Sequence, residues 1–179
     1  MNEIKKLHVG CGTILIAGWI NADVEGKNFD VKFDLTESWP FENNTISYIY
    51  SEHVFEHLTP QEGQLAWVEA LRVLKPNGVM RTAMPDLDFL CSIYFEDWKE
   101  QDWIKNRGYS HIRTKAEMLN TCFYFWNHKW LYNFEEFVLR IEDIGFKNPV
   151  RMDYGKSLHP ELCNLETRED SKLIVEVEK

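Results

Sequence analysis

The sequence predicts an α/β fold: a mixed seven-stranded sheet with a truncated first crossover and an aromatic helical insert between strands five and six. Three observations predict it. Short strand-like segments alternate with loops or helical patterns through the first half. The first of them, ending Leu7-His8-Val9, runs straight into Gly10-Cys11-Gly12, two glycines that let a strand end approach a ligand closely. From Tyr94 to Phe134 there are twelve aromatic residues, a density the first half lacks. With 179 residues, 44% hydrophobic and 27% charged, the chain suits one globular domain over 1–179, with a helical cap over 87–133.

Strands are expected over 4–9, 19–24, 31–34, 46–51 and 79–84, each a short apolar run bounded by turn residues. Between the last two lies a helix. Thr59-Pro60-Gln61-Glu62 reads as a capping box with proline at the first helical position, Leu65, Val68, Leu71 and Leu74 recur at helical spacing, and Pro76-Asn77-Gly78 turns the chain. Pro85 ends strand five, and 87–95 has Leu90, Ile93 and Tyr94 on one side of a helix. A second capping box, Asn133-Phe134-Glu135-Glu136, opens a helix carrying Phe137, Val138, Ile141 and Ile144 and closed by Gly145. Strands over 149–152 and 173–177 are expected to pair antiparallel at a sheet edge, around a polar, loop-rich 153–170.

Composition excludes several classes of function. A formal net charge of −9 argues against a nucleic-acid-binding role. No apolar run approaches a membrane span, and Met1-Asn2-Glu3-Ile4-Lys5-Lys6 lacks the apolar core of an export signal. Cys11, Cys91, Cys122 and Cys163 lie far apart with no C-x-x-C pair, so reduced thiols in a cytoplasmic protein are the plain reading.

Acidic or polar residues follow successive strands: Asp23 after the second, Asp34 after the third, Ser51-Glu52 after the fourth. In a doubly wound sheet these ends line one crevice with Gly10 and Gly12. An acid after strand two is placed to accept from two ribose hydroxyls, and Asp34 from an exocyclic amine such as that of adenine. Each alone reads equally as a turn aspartate; their joint spacing favours the crevice.

Leu7–Gly12, Asp23, Asp34-Leu35, Ile49-Tyr50-Ser51 and Leu74-Lys75-Pro76-Asn77-Gly78 together resemble, in order, the motifs of class I S-adenosylmethionine-dependent methyltransferases, a Rossmann-like family. The likeness extends to small bacterial members through Gly18-Trp19-Ile20-Asn21-Ala22-Asp23, Ser51-Glu52-His53-Val54-Phe55-Glu56-His57, Met84-Pro85-Asp86-Leu87 and Asn127-His128-Lys129, and covers 7–179. The resemblance implies S-adenosylmethionine as cofactor, with the methionine part at Gly10, Cys11 and Gly12, the ribose at Asp23 and the adenine at Asp34, and Leu35, Ser51 and Glu52 lining the same crevice. Two features depart from the pattern. Gly10 to Asp23 spans only 13 residues, too few for a full crossover helix before strand two, and the helix that commonly precedes strand one is absent. One sheet face is therefore expected to be thinly covered, with a homodimer partner as one way to cover it.

His53-Val54-Phe55-Glu56-His57 also matches the H-x-x-E-H zinc-protease pattern. That pattern needs a long helix, whereas a strand precedes it here and Thr59-Pro60 starts a new helix, so no metal is expected. His53 reads as a crevice residue and His57 as a structural polar group at the turn. Methyl transfer to an alcohol benefits from a general base, and His53, Asp86 and His128 are the catalytic candidates, with Tyr132 as an orienting group. His128 reads equally as a surface histidine beside Lys129. The aromatic segment either packs a helical cap or contributes Trp126, Trp130 and Tyr132 to a platform over the acceptor. The expected function is methyl transfer to a small molecule, with a sugar or glycan precursor suggested by the resemblance. The alternative is a non-catalytic adenosyl-binding or protein-interaction module that keeps the fold.

Overall fold

Seven strands, β1 (Lys6–Val9), β2 (Ile20–Asp23), β3 (Val31–Lys32), β4 (Ile46–Glu52), β5 (Leu74–Met84), β6 (Lys147–Arg151) and β7 (Leu173–Glu178), form one sheet in the order β3-β2-β1-β4-β5-β7-β6. The structure is a computed structural model that describes residues 4–179; the reading placed on Met1, Asn2 and Glu3 lies outside the described residues. β1 to β5 run parallel, and β7 pairs antiparallel with both β5 and β6. The sheet is therefore mixed, as expected, with the antiparallel pair at one edge. Strand order reverses between β1 and β4, and at such a switch point the two chain directions diverge and leave a crevice above the strand ends.

Helices cover one face. Thr59 caps α1 (Pro60–Val73) through the expected reciprocal pair: its Oγ1 accepts from Glu62 N at 3.3 Å, and Glu62 Oε2 accepts from Thr59 N at 2.7 Å. Beyond α1, the Lys-Pro-Asn-Gly turn is a bulge at the start of β5, where Ile46 pairs with Leu74 and Tyr48 with Val79. Gly78 is needed there, since a Cβ would meet Lys75 O at 2.9 Å. Trp67 on α1 is fully buried among Phe55, Tyr132 and Phe137, with ring centroids 5.2, 5.7 and 5.4 Å away. Asn133 caps α5 (Phe134–Ile144) by accepting from Glu136 N at 2.9 Å. Only half of that expected capping box forms, because the Glu136 carboxylate turns to Arg140 Nε at 2.6 Å and Trp130 Nε1 at 3.2 Å.

On the opposite face the first crossover holds no helix, as its length requires. Strand alternation turns Tyr50 and Val79 to this side, where Trp19, Ile16, Leu162 and Leu165 from the 11–19 and 153–171 segments pack over them. The chain thus covers this face itself. Arg81, fully buried, fastens the polar 153–170 segment: Glu166 and Glu176 each accept from it at 2.6 Å, and Lys156 O at 2.9 Å.

Between β5 and α5, short helices α2 (Leu87–Ile93), α3 (Asp102–Asn106) and α4 (Lys115–Asn120), followed by a π-helical turn over Thr121–Phe125, build a second small core around Ile93, Trp98, Trp103, Ile112, Met118 and Cys122. Five of the twelve aromatics, Trp98, Trp103, Tyr109, Phe123 and Trp126, are spent on this packing, whereas Phe95, Tyr124 and Phe125 are exposed. Trp126 sits 5.0 Å from Trp103 and donates to Tyr109 Oη.

Candidate active site

β1 ends at Val9, and the chain then turns through Gly10 (φ +64°) and Gly12 (φ +52°), left-handed conformations that suit glycine. A Cβ on Gly10 would lie 2.3 Å from Val54 Cγ2, so Val54 packs directly on the bare loop, whereas nothing lies within 4 Å of a Cβ on Gly12. Gly12 N donates to Asp23 Oδ2 at 2.7 Å, Glu25 N to Asp23 Oδ1 at 3.1 Å, and Cys11 N to Ala22 O at 3.1 Å. The glycine loop and the acid after β2 are one hydrogen-bonded unit. The buried Cys11 thiol has its pKa raised by burial, which keeps it protonated.

Two clefts flank this loop and share Gly10 and His53. The first is lined by Asp23, Phe33, Asp34, Leu35, Val54 and Leu58, the second by His8, Cys11, Gly12, Glu52, Thr167 and Arg168 among others. The structure thus brings together Gly10, Cys11, Gly12, Asp23, Asp34, Leu35 and Glu52. Ser51 lies elsewhere: strand alternation turns it to the helix-covered face, where its buried Oγ donates to Thr82 Oγ1 at 2.9 Å. Asp34 Oδ1 accepts from Thr36 N and Oγ1 at 2.8 and 2.7 Å, which sets the turn after β3 while the side chain lines the first cleft. Glu52 lines the second cleft but is engaged: its carboxylate accepts from Thr167 N, Arg168 N and Ser171 Oγ, and from Thr167 Oγ1 at 2.6 Å. It straps the 167–171 segment to the strand end.

Beyond the first cleft lies a cluster that the sequence did not assemble. His53 (φ +53°) places Nδ1 2.9 Å from Oε1 of Glu56, which is completely buried. Glu56 O accepts from Lys129 N at 2.7 Å and Trp130 N at 3.2 Å, so the 128–130 segment docks on the 53–57 turn. His128 then packs against His57 with ring centroids 5.0 Å apart. Its Nδ1 lies 2.6 Å from Cys122 O; a carbonyl only accepts, so Nδ1 carries the proton and Nε2 the lone pair. Burial lowers the pKa of His128 and favours the neutral imidazole. Burial also opposes ionisation of Glu56, but the adjacent His53, with His57, outweighs it and holds the carboxyl below its usual range.

His128 also lines a separate cavity of about 270 Å³ under the cap, with Asp86, Phe89, Trp103, Trp126 and Lys172. Asp86 is buried and doubly committed, its Oδ1 capping α2 by accepting from Asp88 N at 3.0 Å and its Oδ2 paired with Arg151. It contributes a fixed charge to the cavity wall. Tyr132, proposed as an orienting group, belongs to the core around Trp67, and Trp130 packs under Arg140. Of the three proposed platform aromatics, only Trp126 lines this cavity.

A family model described as a methyltransferase domain matches residues 19–82. The fold agrees over the whole chain. An S-adenosylmethionine-dependent methyltransferase from Thermotoga maritima, a possible histamine N-methyltransferase, is 15% identical with a TM-score of 0.61, covering 100% of this chain and 84% of its own. One from Archaeoglobus fulgidus is 13% identical with a TM-score of 0.61, over 99% of this chain and 87% of its own. One from Mesorhizobium loti is 13% identical with a TM-score of 0.57, over 98% and 91%. This chain has the fold of the class I S-adenosylmethionine-dependent methyltransferases. No curated protein matches it.

The solved structures that share this fold are described as S-adenosylmethionine-dependent, and the residues present here fit that cofactor. The space over Gly12 is open. Each Asp23 oxygen has accepted one amide and retains a lone pair for a ribose hydroxyl. The apolar side chains of Leu35, Val54 and Leu58 beside Asp34 suit a purine, and Arg168 in the second cleft suits a carboxylate. Val54, Leu58 and Arg168 escaped the sequence reading. Val54 carried a usable signal, since it sits inside the Ser51–His57 motif; Arg168, in a polar loop far along the chain, carried none.

Proposed function

We propose that the protein transfers the methyl group of S-adenosylmethionine to a hydroxyl of a small molecule, with a sugar or glycan precursor as the preferred class. The cofactor supplies a methyl already activated on a sulfonium, so the protein's task is alignment and exclusion of water. Asp23 and the glycine loop hold one end of the cofactor, and Asp34 with Leu35 and Val54 hold the other. The observation that carries the reading is the contact between His57, in the cofactor cleft, and His128, in the wall of the cap cavity. An acceptor in that cavity lies next to the cofactor cleft. His128, kept neutral, offers Nε2 to the acceptor hydroxyl as hydrogen-bond acceptor and proton acceptor. Phe89, Trp103 and Trp126 supply apolar faces, and Asp86, Glu100 and Asp102, held by Arg151, Lys105 and Arg107, make the same wall polar, a mixture that suits a polyhydroxylated ring. The four free cysteines fit a reducing, cytoplasmic setting, and among the described residues no helix is long and apolar enough to cross a membrane.

The test is calorimetry with S-adenosylmethionine and S-adenosylhomocysteine, followed by measurement of S-adenosylhomocysteine release over simple glycosides, nucleotide sugars and other alcohols. The expected results are saturable binding of both compounds and turnover with at least one hydroxylated acceptor. Binding without release across the panel would favour the non-catalytic module, and no binding of either compound would overturn the reading.

A further inference from the structure

We propose that Glu56, His57 and His128 form a binding site for one divalent first-row transition ion, Zn²⁺ or Mn²⁺, at the junction of the cofactor cleft and the cap cavity. A donor atom from each of the three residues lies within 4.8 Å of the others. Donors about one tetrahedral ion at Zn–N and Zn–O distances stand roughly 3.4 Å apart. The three side chains would therefore close on an ion by up to about 1.5 Å.

A second, independent observation points to a cation. Glu56 has no exposed surface, and neither carboxylate oxygen has an aligned hydrogen bond: His53 Nδ1 approaches Oε1 at 2.9 Å without donor geometry, and Oε2 has no partner. The nearby imidazoles stabilise the carboxylate only in part, and a metal ion on the unpartnered Oε2 would complete what burial withholds.

The donor set and its supports have the character of a metal site. Two imidazoles and one carboxylate suit Zn²⁺, Mn²⁺ or Fe²⁺ better than the all-oxygen preference of Ca²⁺ or Mg²⁺. His128 gives its Nδ1–H to a backbone carbonyl, the arrangement that fixes the tautomer of a metal-binding histidine and leaves Nε2 for the ion. The backbone bonds from Lys129 and Trp130 to Glu56 O hold the two contributing segments in register before any ion arrives. The resemblance of 53–57 to a zinc-protease motif is misleading in one respect: Phe55–His57 is a single 3₁₀ turn, so His53 and His57 do not share a helical face, and His128 supplies the imidazole instead. Three protein donors leave open positions. The consequence rests on the methyl-transfer reading: an acceptor hydroxyl in one of those positions would have its pKa lowered by the ion and would release its proton to solvent water, since the His128 lone pair is then committed to the ion.

The experiment uses the full chain, stripped with a chelator and with no cofactor added, so that its outcome is separate from that of methyl transfer. Calorimetric titration with ZnSO₄ and with MnCl₂ is expected to show one equivalent bound by at least one of the two ions. Glu56→Gln and His128→Ala should each weaken that binding at least 10-fold, and loading with Co²⁺ should give a visible d–d absorption that His128→Ala loses. Because Glu56→Gln alters a buried group, His57→Asn and His128→Ala, both at partly exposed residues, carry the test if that variant fails to fold. Absence of stoichiometric binding of both ions, or wild-type affinity in His57→Asn and His128→Ala, would overturn the proposal.

Discussion

Gly12 and Asp23 are joined by a 2.7 Å hydrogen bond from the glycine amide to Oδ2, although 11 residues separate them. With no helix in the first crossover, this bond and that of Cys11 N to Ala22 O hold the loop against the end of β2. The acid therefore shapes the cradle as well as offering its remaining lone pairs to a ligand. Asp23→Ala removes two charge-assisted acceptors, each worth about 1.5–3 kcal/mol where fully used. S-adenosylmethionine should bind on the order of 10–100-fold more weakly by calorimetry, and the urea midpoint should fall modestly, because the two amide bonds that Asp23 accepts are solvent-exposed. An unchanged affinity would remove the ribose role from Asp23.

The two loop glycines should fail in different ways. Gly12→Ala imposes a left-handed conformation on alanine with open space around its Cβ, a cost of about 1–2 kcal/mol. Gly10→Ala carries the same strain and drives its Cβ into Val54, which adds about 1–3 kcal/mol of overpacking. Urea denaturation should rank Gly10→Ala well below Gly12→Ala, and adding Val54→Ala to Gly10→Ala should recover the steric part while leaving the strain. Equal loss in the two single variants would mean that Val54 does not set the floor of the cleft.

The strand positions, the glycine loop and both aspartates were legible in the sequence because each is announced locally, by periodicity, a turn or a cap. What was not legible depends on residues that meet across long stretches of chain. Glu52 accepts from Thr167 and Arg168, 115 and 116 residues away, and Arg81 from β5 is buried between Glu166 and Glu176. Nothing in the local pattern around Glu52 distinguishes a ligand-facing acid from a strap, because both want an exposed strand end. The same holds for His128, which read equally as a catalytic candidate and as a surface histidine until the backbone of Lys129 and Trp130 brought it to Glu56. Asp86 illustrates the converse: its position after strand five was read correctly, but the arginine that occupies it lies on β6.

Glu62 links the helix cap to that docked segment. Its carboxylate accepts from Thr59 N at 2.7 Å and from Lys129 Nζ at 2.9 Å. The backbone hydrogen bond from Thr59, followed by the Lys129 contact, pulls its pKa from 4.5 down to about 2. A carboxyl whose folded pKa lies below its unfolded value stabilises the native state above the unfolded pKa, and that stabilisation fades as pH falls toward the folded pKa. Glu62→Gln should therefore melt below the wild type at pH 7. The gap should hold down to about pH 5, narrow between 4.5 and about 2, and close as the wild-type carboxyl itself becomes protonated. Thermal melts of both proteins across that range check the prediction, and because Glu62 is solvent-accessible the gap at pH 7 should also shrink in high salt. A gap that stays constant through acid pH would mean that the charge contributes nothing and that the loss comes from the altered cap itself, and no gap at pH 7 would mean that glutamine caps α1 as well as glutamate does.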